Sequence, residues 1–268
     1  MNRKVLLIGA SGLVGQAIAA ALRNGYQVVP TAGHSEMEHG YCLPAEEPEQ
    51  LLEILEREDP EAVISSIRGD HRAQMAFHRT LARWLAGKGK RLLYLSTANV
   101  FDGDLSRPWT EDDPPSPASD YGVFKRDCEA MLAELLEEQL TIFRLPAVWS
   151  ADCPRVRLLR AHSRNGEPHH TYAGSMVNVA YAEQIGNYAK YTLEHDLSGI
   201  FHVGTTDMVD YRAFEEMVCE ALRIKPPEFE FKTAAPTAFQ AVIPTRREIP
   251  DDLQLTVAQV LVAMAQSA

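Results

Sequence analysis

Along the first 150 positions the apolar residues fall into two alternating patterns. Short runs such as VLLI at 5–8, AVI at 62–64, LLYL at 92–95 and TIF at 141–143 are apolar throughout and rich in branched residues. Such runs read as strands buried on both faces. A further strand covers 26–29, after Gly25 closes the preceding segment. Between the strands lie stretches with helical character: the alanine-rich 13–22, then 51–57, 72–86 and 121–138. Strands alternating with helices predict a parallel sheet with right-handed crossovers. After residue 146 the alternation breaks. A basic helix is expected over 155–164, a turn at His169-His170, and short elements to the end. This second half reads as a smaller cap over the carboxyl ends of the strands, with 178–193 returning to pack on the sheet. No internal repeat is present.

The first strand runs directly into Gly9-Ala-Ser-Gly12-Leu-Val-Gly15, and the first helix follows. Glycine at the first position permits a tight turn, at the second a close approach of backbone to a pyrophosphate, and at the third close helix–strand packing. The helix N-terminus then offers free N–H groups and a positive dipole end to phosphate. In this strand–turn–helix context the expected fold is α/β, a Rossmann-type doubly wound parallel sheet with a smaller C-terminal substrate-binding cap. Residues 1–150 form the NAD(P)-binding domain, with a return segment near 176–194, and 151–268 the smaller substrate-binding region. Gly9, Ser11, Gly12, Leu13, Val14 and Gly15 are the expected phosphate contacts. The second strand ends in Pro-Thr-Ala-Gly33-His34-Ser35-Glu36. No acid stands at the strand end to hold a ribose diol. Gly33 leaves room, and His34 and Ser35 suit a 2′-phosphate. The expected cofactor is NADP, with NAD possible if Glu36 bends back to supply the acid.

The stretch 94–125, YLSTANVFDGDLSRPWTEDDPPSPASDYGVFK, carries the candidate chemistry. Tyr121 and Lys125 are four apart and share a helix face. A nearby ammonium favours the phenolate, so the phenol of Tyr121 is expected below its usual value near 10. The Thr97 hydroxyl can hold a substrate oxygen while the phenol supplies the proton that carbonyl reduction requires. Thr97, Tyr121 and Lys125 are therefore the candidate catalytic trio.

GASGLVG, STANVFDG, the P-W-x-E-x-D stretch, and YGVFK followed by Glu129 together resemble the extended short-chain dehydrogenases/reductases. Within them the similarity is to the dTDP-4-dehydrorhamnose reductase (sugar-nucleotide reductase) group. RLPAVW at 144–149 and FHVGTTDMVDYRAFEEMV at 201–218 extend the resemblance over most of the chain. It implies NAD(P)H-dependent reduction of a 4-keto group on a nucleotide-linked sugar. Thr97 then matches the hydroxyl residue, Tyr121 the proton donor and Lys125 the ribose-binding lysine. Arg68, Pro146, Tyr121 and Lys125 border the cofactor; Ser96, Thr97, Asn99 and Arg155 face the substrate. The chain departs from the group in having Ala98-Asn99 after the threonine and Ser-Ser-Ile-Arg-Gly-Asp after Ile64. Two other readings share the fold: a sugar-nucleotide epimerase, and a non-catalytic NAD(P)-binding regulatory module like the beta subunit of methionine adenosyltransferase.

Composition narrows the field further. With 268 residues, 46% of them hydrophobic, the chain can bury a full core. A net charge of −11 and the absence of a basic patch argue against nucleic acid as partner. Arg155, with Arg157 and Arg160, forms a basic row suited to a diphosphate or to a solvated helix face. The four cysteines show no metal-ligand spacing, so no metal site is expected, and their scatter points to a reducing cytoplasm. No segment is long enough to span a bilayer, and the expected partners are a small-molecule nucleotide sugar and, as a homodimer, a second copy of the chain.

Overall fold

The computed structural model of the protein describes residues 3–35, 37, 39–232 and 238–268. Its first half holds strands β1 (Arg3–Ile8), β2 (Tyr26–Ala32), β3 (Tyr41–Cys42), β4 (Ala62–Ser65), β5 (Arg91–Thr97) and β6 (Leu140–Leu145). Between them run helices α1 (Leu13–Leu22), α2 (Pro48–Glu58), α3 (His71–Leu85) and α4 (Asp120–Leu136). The second half adds β7 (Ala147–Trp149), α5 (Pro154–Asn165), β8 (His169–Tyr172), β9 (Ser175–Val177) and β10 (Val179–Tyr181). It continues with α6 (Ala182–Glu194), β11 (Gly199–His202), β12 (Val209–Asp210), α7 (Tyr211–Ala221), β13 (Phe229–Lys232), β14 (Ala238–Gln240) and α8 (Val257–Gln266).

Seven strands form one parallel sheet in the order β11-β6-β5-β4-β1-β2-β3. Val5, Leu6, Leu7 and Ile8 of the central β1 are fully buried, as the unbroken apolar run requires. Burying each such side chain contributes roughly 1.5–3 kcal/mol. α1 and α6 cover one face, and α2, α3 and α4 the other, so the sheet separates two apolar cores. This is the Rossmann-like α/β fold. The chain reverses direction across the sheet between β1 and β4. In open α/β sheets that switch point opens a crevice beyond the carboxyl ends of the strands.

The expected return segment holds α6, whose Gly186 lies so close to α1 that a Cβ there would stand 2.6 Å from the Ala17 carbonyl oxygen. The sheet also takes β11 from beyond that segment. Its residues pair with β6 from Gly199↔Thr141 to His202↔Arg144. Four residues flanked by irregular chain do not announce which edge they join.

The rest of the second half surrounds a third core of Trp149, Val156, Leu159, Phe214, Val218, Val260 and Met264. His169-His170 is not a turn: both residues begin β8, which pairs with β13. Alternation along β8 buries His169 and exposes His170. Among the described residues no helix is long and apolar enough to cross a membrane.

Candidate active site

Strand register brings the ends of four strands to one edge. Ile8 of β1 lies beside Ser65 of β4, Ser65 beside Tyr94 of β5, and Thr97 at the tip of β5 beside Leu145 of β6. The glycine turn, residues 66–70, Thr97 and Pro146 therefore open onto the same crevice.

Two of the three glycines serve the fold itself. Gly9 has φ +83°, and a Cβ there would stand 2.8 Å from the Ser66 carbonyl oxygen. A Cβ on Gly15 would lie 2.2 Å from the Gly9 carbonyl oxygen. Gly12 differs: its Cβ would meet only the Gly9 oxygen, at an ordinary 3.5 Å, and would otherwise project into the crevice. A methyl group at Gly12 would thus compete with a ligand rather than with the protein. Gly12 is also the N-cap of α1 and makes no side-chain capping bond. The first N–H groups of the helix are left for an anion. Ser11 is exposed, whereas the side chains of Leu13 and Val14 are half-buried and pack against the cores on either side. At the end of β2, Gly33 has open space where a Cβ would point, and His34 and Ser35 are exposed. Glu36 lies outside the described residues.

On the other side of the crevice, Thr97 caps a short 3₁₀ turn, Ala98–Phe101. Its hydroxyl accepts from the Asn99 N–H at 3.2 Å and donates to Asn99 Oδ1 at 3.1 Å. Asn99 itself is exposed. Ser119 caps α4 by accepting from the Gly122 N–H at 3.0 Å. Asp102 ties the two elements together, accepting from the backbone N–H groups of Ala118 and Ser119 at 2.6 and 3.1 Å. Gly122 lets them approach: a Cβ there would lie 2.3 Å from the Asn99 carbonyl oxygen. As a result the Tyr121 phenol comes beside the Thr97 hydroxyl.

Tyr121 and Lys125 share a helix but not an environment. Tyr121 is 40% exposed and Lys125 only 4%. The Lys125 ammonium donates to the Tyr94 hydroxyl at 3.0 Å and to the Leu95 carbonyl at 2.7 Å. Burial pushes it down to about 8. The expected lowering of the Tyr121 phenol does not occur. Burial raises it, and the opposing influences are the Arg68 charge and the Thr97 hydroxyl. Desolvation outweighs a cation that points into the strand. Arg68 is exposed in the loop after β4, and His71 lies beyond it, its ring 5.9 Å from that of Tyr121 and stacked on Phe124.

Beneath this surface lie two buried polar groups that the sequence did not reveal. His78 hydrogen-bonds the Gln74 carbonyl through Nδ1 at 2.7 Å, so Nε2 accepts from the Ser65 hydroxyl at 2.8 Å. Burial pushes His78 down to about 3, keeping it neutral beside Tyr94 and Lys125. The second group corrects an expectation. The Ser96 hydroxyl does not face a substrate but donates to the buried Glu129 carboxylate. Glu129 also takes the Arg144 guanidinium at 2.8 Å, with both side chains almost fully enclosed. Arg144, the one charged residue in LTIFRLP, was the available signal: a buried guanidinium requires a carboxylate.

On the cap side, Pro146 is buried against Gly204, where a Cβ would come within 2.8 Å of its ring. Arg155 is exposed at the start of α5, 5.7 Å over the ring of the buried Trp149, and donates to the Val148 carbonyl at 3.3 Å. His169 stays away from the crevice, 3.1 Å from Glu215 and 3.0 Å from His162.

Comparison with known proteins agrees with this architecture. A dTDP-4-dehydrorhamnose reductase of Burkholderia thailandensis is 27% identical over 263 residues, covering 90% of this chain and 84% of that protein. The rat methionine adenosyltransferase 2 subunit beta is 28% identical over 163 residues, 55% of this chain and 48% of that one. Among solved structures, a dTDP-4-dehydrorhamnose reductase from Clostridium acetobutylicum superposes with a TM-score of 0.85 at 17% identity, covering 98% and 99% of the two chains. One from Bacillus anthracis, solved in complex with NADP, gives 0.84 at 18% identity over the full length of both. At such identities the structural likeness speaks for the fold. Residues 3–265 match the family described as the RmlD substrate binding domain, and the chain belongs to that family.

Proposed function

We propose that the chain is an NAD(P)H-dependent reductase of a nucleotide-linked 4-keto sugar, with NADP(H) preferred. The observation that carries this reading is one crevice holding both an uncapped helix N-terminus and the neighbouring Thr97 and Tyr121 hydroxyls. The crevice suits the cofactor: Gly12 leaves space where a side chain would intrude, and no carboxylate stands at the described end of β2. Gly9, Ser11, Gly12 and the backbone of Leu13, Val14 and Gly15 hold its diphosphate, and His34 and Ser35 its 2′-phosphate. Lys125 has one N–H beyond the two it donates inward, and turns it to the ribose. Pro146 and Arg68 close the remaining sides. When bound, the nicotinamide supplies the hydride that reduces the keto carbon. Thr97 orients the keto oxygen, and Tyr121 gives it the phenolic proton. Asn99 and Arg155 border the substrate, Arg155 as a partner for its diphosphate.

The test is a screen of 4-keto nucleotide sugars with NADPH and NADH, followed by cofactor absorbance, with fluorescence titration of both cofactors. NADPH is expected to bind more tightly and to be consumed, and Tyr121→Phe to abolish turnover while the fold persists. A clear NADH preference would point to Glu36 instead. A second reading, a cofactor-binding regulatory module, draws support from the alignment with the methionine adenosyltransferase subunit. Tight cofactor binding with no oxidation by any keto sugar selects it.

A further inference from the structure

The two inward hydrogen bonds of the Lys125 ammonium go to neighbouring residues of β5, the Tyr94 hydroxyl at 3.0 Å and the Leu95 carbonyl at 2.7 Å. Glu129, one turn further along α4, is engaged by Arg144 and Ser96, so neutral oxygens hold the charge. An ammonium carries three donors at the end of a flexible stem. With a single acceptor it can spin about that one bond. Two fixed acceptors leave its third N–H one direction, set by the tetrahedral geometry of the nitrogen. Both acceptors here are fixed. The Leu95 carbonyl belongs to a strand paired on both sides within the sheet. The Tyr94 hydroxyl is placed by its ring, which is buried and meets the His78 ring edge-on at 4.9 Å. His78 is itself held by the Ser65 hydroxyl and the Gln74 carbonyl. A phenylalanine at position 94 would fill the same space in the core and offer Lys125 no acceptor.

We propose that Tyr94 is the positioning residue of Lys125: its hydroxyl, together with the Leu95 carbonyl, aims the third ammonium hydrogen into the crevice, towards the ribose hydroxyls of the cofactor. The inference rests on Lys125 being the ribose ligand, and its test needs neither substrate nor turnover. NADPH affinity is measured by fluorescence titration for wild type, Tyr94→Phe, Lys125→Met and the double variant. Tyr94→Phe is expected to weaken binding about tenfold, the scale of one hydrogen bond to a charged group. In the Lys125→Met background the same change should cost less than about twofold, because a residue that acts through Lys125 has no effect once Lys125 is gone. Equal losses in the two backgrounds, or no loss in Tyr94→Phe, overturn the assignment. Without cofactor, protein labelled with ¹³C at the lysine ε carbon is titrated by NMR, and Lys125→Met assigns the resonance. Burial already pushes Lys125 down to about 8. Its other charged or titratable neighbours are Cys128 and Glu129 on α4, His78 on α3 and Arg68 in the loop after β4. All of them remain in Tyr94→Phe, so loss of the acceptor should move the midpoint further down. An unmoved midpoint also overturns the assignment. If the wild-type protein binds neither NADPH nor NADH, the reductase reading falls, while the Lys125 midpoint still decides whether Tyr94 holds the ammonium.

Discussion

The close approach of α4 to the turn after β5 is testable by one methyl group at Gly122. Gly122 is the third residue of α4, and in an exposed helix an alanine there would stabilise by about 1 kcal/mol. The tertiary structure reverses that sign. The added Cβ would sit 2.3 Å from the Asn99 carbonyl oxygen and 2.9 Å from Pro117 Cβ, where ordinary contact begins at 3.4 Å. One of the two elements must therefore withdraw by about 1 Å, and both are held by the Asp102 hydrogen bonds. Such overpacking costs roughly 1–3 kcal/mol, so after the helix-propensity gain the net loss is at most about 2 kcal/mol. In a chain of this size that lowers Tm by a few degrees. Tyr121 moves with the helix away from Thr97, and a misplacement of about 1 Å can reduce turnover by about 10²-fold. Urea unfolding, with the slope unchanged, measures the stability term. NADPH affinity should fall less than turnover, since the glycine turn lies across the crevice and Lys125 stays tied to Tyr94 and the Leu95 carbonyl. A Gly122→Ala protein that is more stable than wild type and equally active would refute this account of how Tyr121 is placed.

Glu129→Gln strands the Arg144 guanidinium in the interior and should cost about 3–5 kcal/mol in urea unfolding, with part recovered in Glu129→Gln/Arg144→Met; a loss under about 1 kcal/mol would mean the pair is not a buried ion pair. Lys125→Met should weaken NADPH binding as well as turnover, whereas Tyr121→Phe should lose turnover alone; equal losses of affinity in calorimetry would contradict the division of roles. His78 and His202 are pushed by burial from 6.5 to about 3, so the unfolded chain takes up protons between those values that the folded one refuses. Stability is therefore full above about pH 6.5 and falls on acidification, by about 2 kcal/mol per histidine at pH 5. An unfolding free energy that stays constant from pH 7 to pH 5, or a slope that persists in a His78→Gln/His202→Gln protein, would contradict this.

The amino-acid sequence alone determined the features that rest on neighbours in the chain. The run from β1 through Gly9, Gly12 and Gly15 into α1 is encoded by a two-sided apolar strand, residues without Cβ and a helix former. Each acts within a few positions, so the turn and the uncapped start of α1 were legible. The pairing of Tyr121 with Lys125 was legible for the same reason, since helical periodicity puts residues four apart on one side. What each of them faces was not. Lys125 turns under the strand to Tyr94, thirty-one positions earlier, and Tyr121 stands out in the crevice beside Thr97, twenty-four positions earlier. Only the packing of α4 on the tip of β5, through Gly122, decides that. The same holds for Ser96, which a local reading aims at a ligand and the interior claims for Glu129 and Arg144. It holds for His169 too, which a polar pair in sequence suggests is a turn and strand pairing with β13 buries. Local pattern records periodicity and chain conformation; burial, counter-charges and desolvation depend on residues brought together from distant parts of the chain, and those set the electrostatics of the site.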